Sequence, residues 1–318
     1  MTNNLPAIPG KAKAVWRIVK AAGPLLISQF TTLSEAYAKH QLRLAEVEAI
    51  KELMVAEART IAEVRKKLID KYIDAQPEDR LRLRQDIEMA EKDLRQLGVY
   101  QKAIEHIPES QAAAAAQTQS TETLDPPDEF RAWLDTFNEY ARKQNEPWRV
   151  DLLARALALE SETPGVLGQR ALWFIGTVDE KSFHAFAALL DVALNIGNGY
   201  VIPNHGTFIE RPIPTCALGE TFQVGQVLFL LSDLGLIGDL LTSQKSFPLN
   251  NLVIISYGSH RLVGITTQEL RFNGVILTSL GDTIARLYQP KMNALGVEIY
   301  TSWVKSIRDS SLKVVNET

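Results

Sequence analysis

The chain has 318 residues, of which 46% are hydrophobic and 23% are charged, and its formal net charge is −4. This composition is typical of a globular protein and excludes a fibrous repeat, a disulfide-rich scaffold and a chain that is disordered throughout. The single cysteine, Cys216, cannot form an internal disulfide, which predicts a reducing compartment and a cytoplasmic location. No window approaches the roughly 20 consecutive apolar residues that a transmembrane helix requires.

The N-terminal segment is basic, because four cations precede the first acidic residue, Glu35. The sequence predicts an amphipathic helix over residues 14–20 that ends near Gly23-Pro24. Export is not favoured, since Gly-Pro interrupts the apolar part and no small-residue cleavage site follows. The segment is a candidate patch for nucleic acid or anionic lipid, whereas a short helix packed on its own domain is the favoured alternative. The candidate patch residues are Lys11, Lys13, Trp16, Arg17 and Lys20.

Two long helices are predicted next. Residues 31–72 contain neither Pro nor Gly, and their apolar positions recur every three or four residues. Pro77 suits the start of a second helix, which extends to about residue 107. A short turn between two such helices predicts an antiparallel hairpin, whose apolar seam must be buried by the other helix or by a second chain. The second helix has heptad-like spacing at Leu83, Ile87, Ala90, Leu94, Leu97, Gln101 and Ile104.

The composition changes after the hairpin. Residues 111–120 lack charged and large apolar side chains, and Pro126-Pro127 follows. Such a segment cannot fill a core, so the sequence predicts a flexible linker over residues 109–127. We therefore expect a basic N-terminal segment and helical hairpin over 1–108, and a second domain over 128–318.

The second domain is predicted to combine helices with a small antiparallel sheet. Asn273-Gly274 marks a type I′ hairpin, Thr278 a helix N-cap and Gly235 a helix C-terminus. The expected fold class is therefore mostly α with a small antiparallel sheet (α+β). Helices are predicted over 128–143, 148–160, 168–176, 179–196 and 221–234, and strands over 252–257, 261–266, 270–272 and 275–277.

Several short blocks resemble known modules. Leu-Gly-Leu-Ile at 234–237 and Leu-Thr-Ser-Leu-Gly at 277–281 resemble the second half of a winged helix. Together with Phe-Arg-Ala-Trp-Leu at 130–134 and the block at 151–165, they resemble a bacterial family catalogued as domain of unknown function 2806. The resemblance implies a shared fold and carries over no catalytic residue. Accessory roles in bacterial stress or phage defence are compatible with it.

The sequence shows no catalytic or cofactor motif. The histidines have no metal-ligand spacing with a carboxylate or cysteine, and the Walker A, G-x-S-x-G, G-x-G-x-x-G and H-E-x-x-H patterns are missing. We therefore predict no catalytic residue, no cofactor and no metal, and a protein that is not an enzyme. The five histidines are His40, His106, His184, His205 and His260.

The leading hypothesis is an interaction protein that oligomerises or binds a protein partner through its amphipathic helices. The first alternative is a nucleic-acid-associated regulator that uses the basic N-terminus and the wing, which is the predicted hairpin leading into the Leu-Thr-Ser-Leu-Gly block. It is not favoured, because Lys245 is the only Lys or Arg between residues 221 and 260. The second alternative is peripheral membrane association through the N-terminal segment. Besides that segment, the candidate interaction residues are Leu83, Ile87, Leu94, Leu97 and Ile104.

Overall fold

The chain forms two compact units, Met1–Thr177 and Val178–Thr318. The computed structural model describes residues 10–22, 25, 44–107, 128–197, 199–203, 208–214, 221–238, 244–308 and 311–317. The predicted linker and the start of the predicted helix over 31–72 lie outside these residues. In the described part of the chain, no helix is both long and apolar enough to cross a membrane.

The first unit is helical, and its helices match the predicted ones closely. The two long helices form the expected hairpin, and the three helices after residue 127 agree with prediction within two residues at each end. The bounds are α1 (Gly10–Ala22), α2 (Leu44–Asp74), α3 (Pro77–His106), α4 (Asp128–Lys143), α5 (Pro147–Glu162) and α6 (Gln169–Thr177).

The α2–α3 hairpin turns within two residues. Pro77 occupies the first turn of α3, where its missing N–H costs no hydrogen bond, and the carboxylates of Glu78 and Asp79 complement the helix dipole. The helices run antiparallel, so that Arg65 Nη2 lies 2.6 Å from Glu91 Oε1 across the hairpin. Both side chains are about one third exposed, so this ion pair fixes the alignment more than it stabilises the fold.

The second half of α3 is more deeply buried than the first half. The helices that bury it belong to the same unit. From Ala90 onward, α1, α4 and α5 pack on α3, and Leu97, Tyr100 and Ile104 are completely or almost completely buried. The helices after the predicted linker therefore complete the core that the hairpin begins. The unit boundary consequently falls at Thr177 instead of at the predicted linker, because α4 and α5 supply the apolar surface that covers α3, and α6 packs on both of them.

A buried polar cluster joins three helices of the first unit. The Tyr100 hydroxyl donates to Asn138 Oδ1 (2.5 Å) and accepts from Gln96 Nε2 (2.9 Å), and its oxygen lies 3.4 Å from the carbonyl of Ala21. Arg142 Nε donates to Gln96 Oε1 at 2.7 Å. Burial raises the pKa of Tyr100, so the hydroxyl stays protonated and keeps its donor role. The cluster ties α1, α3 and α4 together at one point.

The second unit is built around an antiparallel sheet. Within the described residues seven strands follow the order β5-β8-β2-β1-β6-β7-β9, and β3 pairs with β4. The overall class, mostly α with a small antiparallel sheet, is as predicted. The helices are α7 (Glu180–Leu190), α8 (Val224–Asp233), α9 (Ser279–Ala285) and α10 (Ala294–Arg308). The strands are β1 (Leu194–Ile196), β2 (Gly199–Pro203), β3 (Pro212–Pro214), β4 (Thr221–Gln223), β5 (Gln244–Phe247), β6 (Leu252–Tyr257), β7 (His260–Thr266), β8 (Leu270–Ile276) and β9 (Leu312–Glu317).

Two predicted elements of this unit were wrong, and the helix predicted over 221–234 begins only at Val224, because residues 221–223 pair with β3 as strand β4. The Asn273-Gly274 hairpin does not form, because β8 runs straight through it between β2 and β5. A Cβ at Gly274 would lie 2.3 Å from the carbonyl oxygen of Ile202, so this glycine permits close strand approach instead of a turn. The helix predicted over 179–196 ends at Leu190, since residues 194–196 pair with two strands of the sheet.

The predicted helix C-terminus at Gly235 and the predicted helix N-cap at Thr278 are confirmed. Gly235 has φ +69°, and the N–H of Leu236 donates to the carbonyl of Leu231, which is a Schellman C-terminus. Thr278 Oγ1 accepts from the N–H of Gly281 at 3.1 Å and caps α9. The winged-helix resemblance is nevertheless not confirmed, because the predicted wing hairpin is the single strand β8.

One face of the sheet carries the core of the second unit. Val253, Ile255 and Leu262 are buried there, and α10 packs against β6 and β9. Phe272 meets Trp303 edge to face, with ring centroids 4.9 Å apart. Because side chains alternate along a strand, Asn195 and Ser256 belong to the opposite face.

We expect Tyr100→Phe to lower the free energy of unfolding by about 1–3 kcal/mol, because it leaves buried polar groups without a partner. Urea denaturation of the full chain measures the effect. Tyr140→Phe is the matched control, since the Tyr140 hydroxyl has no hydrogen bond to a described residue, and it should change stability little. Equal effects of the two substitutions would contradict the proposed role of the Tyr100 cluster.

Candidate functional site

The apolar face of α1 is buried inside the first unit. It contacts α5 and α3, so the helix packs on its own domain as the favoured alternative expected. This burial removes the apolar surface that attachment to a membrane through this face would need. The buried residues are Ala14, Val15, Ile18, Val19, Ala21 and Ala22.

The candidate patch residues divide into three groups. The Arg17 guanidinium donates to the carbonyl oxygen of Ser161 at 2.6 Å and therefore serves an internal contact. Lys20 is half-buried and has an interaction partner within the protein. The side chains of Lys11, Lys13 and Trp16 lie outside the described part of the structure.

Arg17 binds beside a buried carboxylate. Glu160 accepts from the N–H groups of Gly165 (2.6 Å) and Leu167 (2.8 Å), which holds the turn after α5. Gly165 has φ +85°, a conformation that favours glycine at this turn. Burial raises the pKa of Glu160, while these N–H groups and the charge of Arg17 act in the opposite direction. The contact explains Arg17 as a structural cation.

The predicted seam of α3 is covered to very different degrees. Leu97 and Ile104 are almost completely buried by the protein's own helices, whereas Leu83, Ile87 and Leu94 are half-buried. The seam therefore faces α2 and the neighbouring helices of the first unit. Its predicted role in binding another chain stays a prediction.

The opposite face of α3 is open between residues 78 and 92. Leu81 is 68% exposed and Met89 is 54% exposed, although both are large apolar side chains. One turn further along this face, α4 covers the helix at Gln96, which is buried. The first unit thus covers only the second half of the outer face of α3. We refer to Glu78, Leu81, Gln85, Met89 and Lys92 as the outer face.

A histidine–carboxylate pair joins α3 to α5. His106 Nε2 lies 2.8 Å from Asp151 Oδ1, and Arg155 Nε donates to Asp151 Oδ2 at 2.8 Å. Burial raises the pKa of Asp151, but the hydrogen bond with His106 and the Arg155 guanidinium outweigh burial and hold it below its usual range. Among the described residues, no hydroxyl or thiol forms a hydrogen bond with His106, so the pair lacks the nucleophile of a catalytic triad.

The second unit contains a cleft of about 210 Å³ between the open face of the sheet and the segment after α9. Tyr200, Asn195 and Ser256 stand in register on β2, β1 and β6. Their half-buried side chains line the cleft and form no hydrogen bond within the described chain. Lys291 and Met292 line the other side. The cleft therefore gathers polar groups from separate elements.

A buried carboxylate fixes the segment that carries Lys291. Asp191 Oδ1 accepts from the backbone N–H of Lys291 at 2.6 Å, and its carboxylate also accepts from the Tyr288 hydroxyl at 3.0 and 3.1 Å. The Tyr257 hydroxyl donates to the Asp191 carbonyl at 2.6 Å and accepts from the N–H of Asn293 at 2.9 Å. Burial raises the pKa of Asp191, whereas the Lys291 amide, the Tyr288 hydroxyl and the charge of Lys291 act in the opposite direction.

Two glycines allow this close packing. A Cβ at Gly258, where φ is +55°, would lie 2.1 Å from Met292 Sδ. A Cβ at Gly296 would lie 2.0 Å from the Tyr257 hydroxyl. A side chain at Gly296 would displace the Tyr257 hydroxyl from its hydrogen bonds, and one at Gly258 would collide with the Met292 side chain.

Sequence reasoning missed the cleft entirely. The helical pattern over 179–196 includes Asn195, and Asp191 and Lys291 lie 100 residues apart in sequence. No motif links these positions, because the sheet and one buried carboxylate bring them together. The outer face of α3 could have been predicted from the sequence, since Leu81 and Met89 fall on the helical face opposite the predicted seam.

We expect Asp191→Ala to speed hydrogen exchange at the Lys291 amide and to lower the free energy of unfolding by about 1–3 kcal/mol. The cause is loss of the acceptor that holds the 288–293 segment. Hydrogen–deuterium exchange with mass spectrometry measures the first effect. Asp233→Ala, at an exposed position on α8, is the control; unchanged exchange in Asp191→Ala would refute the assignment.

The lowered pKa of Asp151 predicts a specific pH dependence. Its stabilising contribution is fully present above the unfolded-state pKa of about 3.9 and is lost as the pH falls through the lower folded-state value. Asp151→Asn should therefore destabilise the protein at pH 7, and the difference from wild type should shrink below about pH 4. Denaturant titrations across this range test it; a difference that grows towards acid pH would show the opposite sign.

No group of three or more His, Cys, Asp or Glu residues that could hold a metal is found in the described ranges. No curated protein and no solved structure matches the sequence. The family model described as "Protein of unknown function (DUF2806)" matches residues 88–298. This match covers more than half of the chain and includes the cleft, α7 to α9 and most of α3. The chain therefore belongs to the DUF2806 family.

Proposed function

We propose that this protein is a cytoplasmic, non-enzymatic interaction protein that self-associates through the outer face of α3. The observation that carries the proposal is an uncovered helix face whose residues complement a second copy of themselves. An accessory role in stress or phage defence is consistent with such a protein and rests on the family resemblance alone.

The outer face has the spacing of a helix–helix contact. Glu78, Leu81, Gln85, Met89 and Lys92 recur every three or four residues, so they share one side of α3. That side is opposite the seam that packs on α2. In the described structure, every one of these five side chains is exposed.

Antiparallel pairing of two α3 helices around Gln85 matches both apolar and charged positions. The two-fold axis of this pair passes Gln85, so residues that are equally distant from Gln85 along the helix meet. Leu81 therefore faces the second copy's Met89, and Glu78 faces the second copy's Lys92. Each contact occurs twice because the pair is symmetric. Neither Glu78 nor Lys92 forms an ion pair with a described residue of its own chain, so both charges are available for this contact.

The size of the contact predicts its strength. The 15 residues from Glu78 to Lys92 correspond to about 22 Å of helix, with two large apolar side chains from each copy. This is smaller than the interface of a permanent dimer, so we expect a reversible, concentration-dependent one.

We expect the wild-type full chain to form dimers in sedimentation velocity experiments as its concentration rises. Leu81→Arg should make it monomeric, because it places a charge against the apolar side chain of the second copy's Met89. Val64→Arg is the matched control, since Val64 is also an exposed apolar residue of the hairpin, 48% exposed, but lies on α2. Dissociation by both variants would argue for a different surface.

The charge pair provides a reversal test. Glu78→Lys alone should weaken dimerisation about tenfold, because it creates two like-charge contacts. Adding Lys92→Glu restores opposite charges and should restore dimerisation. A wild-type protein that stays monomeric, or a double variant no better than the single one, would refute the proposal.

A further inference from the structure

We propose that the cleft of the second unit binds a small anionic ligand that carries a carboxylate or a phosphate group. This site is separate from the outer face of α3 and does not depend on self-association. The proposal rests on the register of three polar side chains, the position of Lys291 and the charge of the cleft.

The floor of the cleft is a row of hydrogen-bonding groups. Tyr200 pairs with Asn195, and Asn195 pairs with Ser256, so the three side chains stand on neighbouring strands about 5 Å apart. Burial raises the pKa of the Tyr200 hydroxyl, which therefore remains a donor. A hydroxyl, an amide and a second hydroxyl can together donate to the oxygens of one anion.

The charged side chains that line the cleft or extend the row are cations. Lys291 lines the cleft, and Arg261 on β7 is opposite Ser256 in register, which extends the row by a guanidinium. The structure gives Arg261 no ion pair with another described residue. The lining contributed by the described residues contains no carboxylate. The neighbouring acid, Asp191, is not part of this lining; its carboxylate accepts from the Lys291 amide and the Tyr288 hydroxyl and interacts with the charge of Lys291.

The backbone that carries the Lys291 cation is held in place before any ligand arrives. Asp191 and Tyr257 bind the backbone of the 288–293 segment, so little ordering is needed on binding. Pro290 and Met292 add an apolar wall beside the charge. The volume lies below the roughly 300–1,000 Å³ of typical ligand pockets, which favours a small molecule over a peptide.

Isothermal titration calorimetry of the full chain with inorganic phosphate and with succinate tests the proposal. A titration with sodium chloride at matched ionic strength is the reference, because the nonspecific screening of charges is then the same as in the titrations with the two probes. We expect saturable binding of one ion per chain for at least one probe. Binding of phosphate alone identifies a phosphate ligand, binding of succinate alone a carboxylate ligand, and binding of both a site that recognises the shared charge.

Substitutions locate the binding to the cleft. Lys291→Gln and Ser256→Ala should each weaken binding about tenfold, which corresponds to about 1.4 kcal/mol. Lys305→Gln removes an exposed cation on α10 of the same unit and should leave binding unchanged. Thermal unfolding of each variant shows whether it is folded. No saturable binding of either probe up to about 10 mM, or equal binding by wild type and both cleft variants, would overturn the proposal.

Discussion

The first unit depends on how the 30-residue helix α3 is covered. The helix is about 45 Å long, and α2 follows it along one side, whereas α1, α4 and α5 reach only its second half. Where they do, Tyr100 and Leu97 are sealed from solvent. Where they do not, the hairpin is a pair of helices with half-buried seam residues. This uneven cover explains why helices beyond the predicted linker belong to the first unit, and it leaves the outer face of α3 open.

The second unit depends in a similar way on one buried group. Asp191 follows α7 directly and holds the segment between α9 and α10 through a backbone amide and a tyrosine hydroxyl. A buried carboxylate is costly unless donors surround it, so this arrangement fixes the segment firmly. The family match over residues 88–298 includes this arrangement. Most of the outer face of α3 precedes residue 88 and lies outside the family match, whereas the cleft lies inside it.

Much of the architecture was predictable from local patterns. The hairpin, the three helices after residue 127 and the caps at Gly235 and Thr278 follow from periodicity and from turn chemistry. The errors occurred where the sheet overrode local preference. Asn273-Gly274 is a strong turn signal, yet β8 continues through it because strands on both sides supply hydrogen bonds. Leu194–Ile196 extends a helical pattern but becomes β1 for the same reason.

The sequence by itself determined the helical hairpin, the mixed class of the second unit and the lack of a recognisable catalytic motif, because periodicity, caps and motifs are local properties. Only the tertiary structure decided that Arg17 serves an internal contact, that α4 and α5 complete the core of the hairpin, and that a polar row and Lys291 share one cleft. Those features depend on contacts between residues up to 144 positions apart. Such contacts depend on how whole elements pack. The spacing of residues within one element carries no information about that packing.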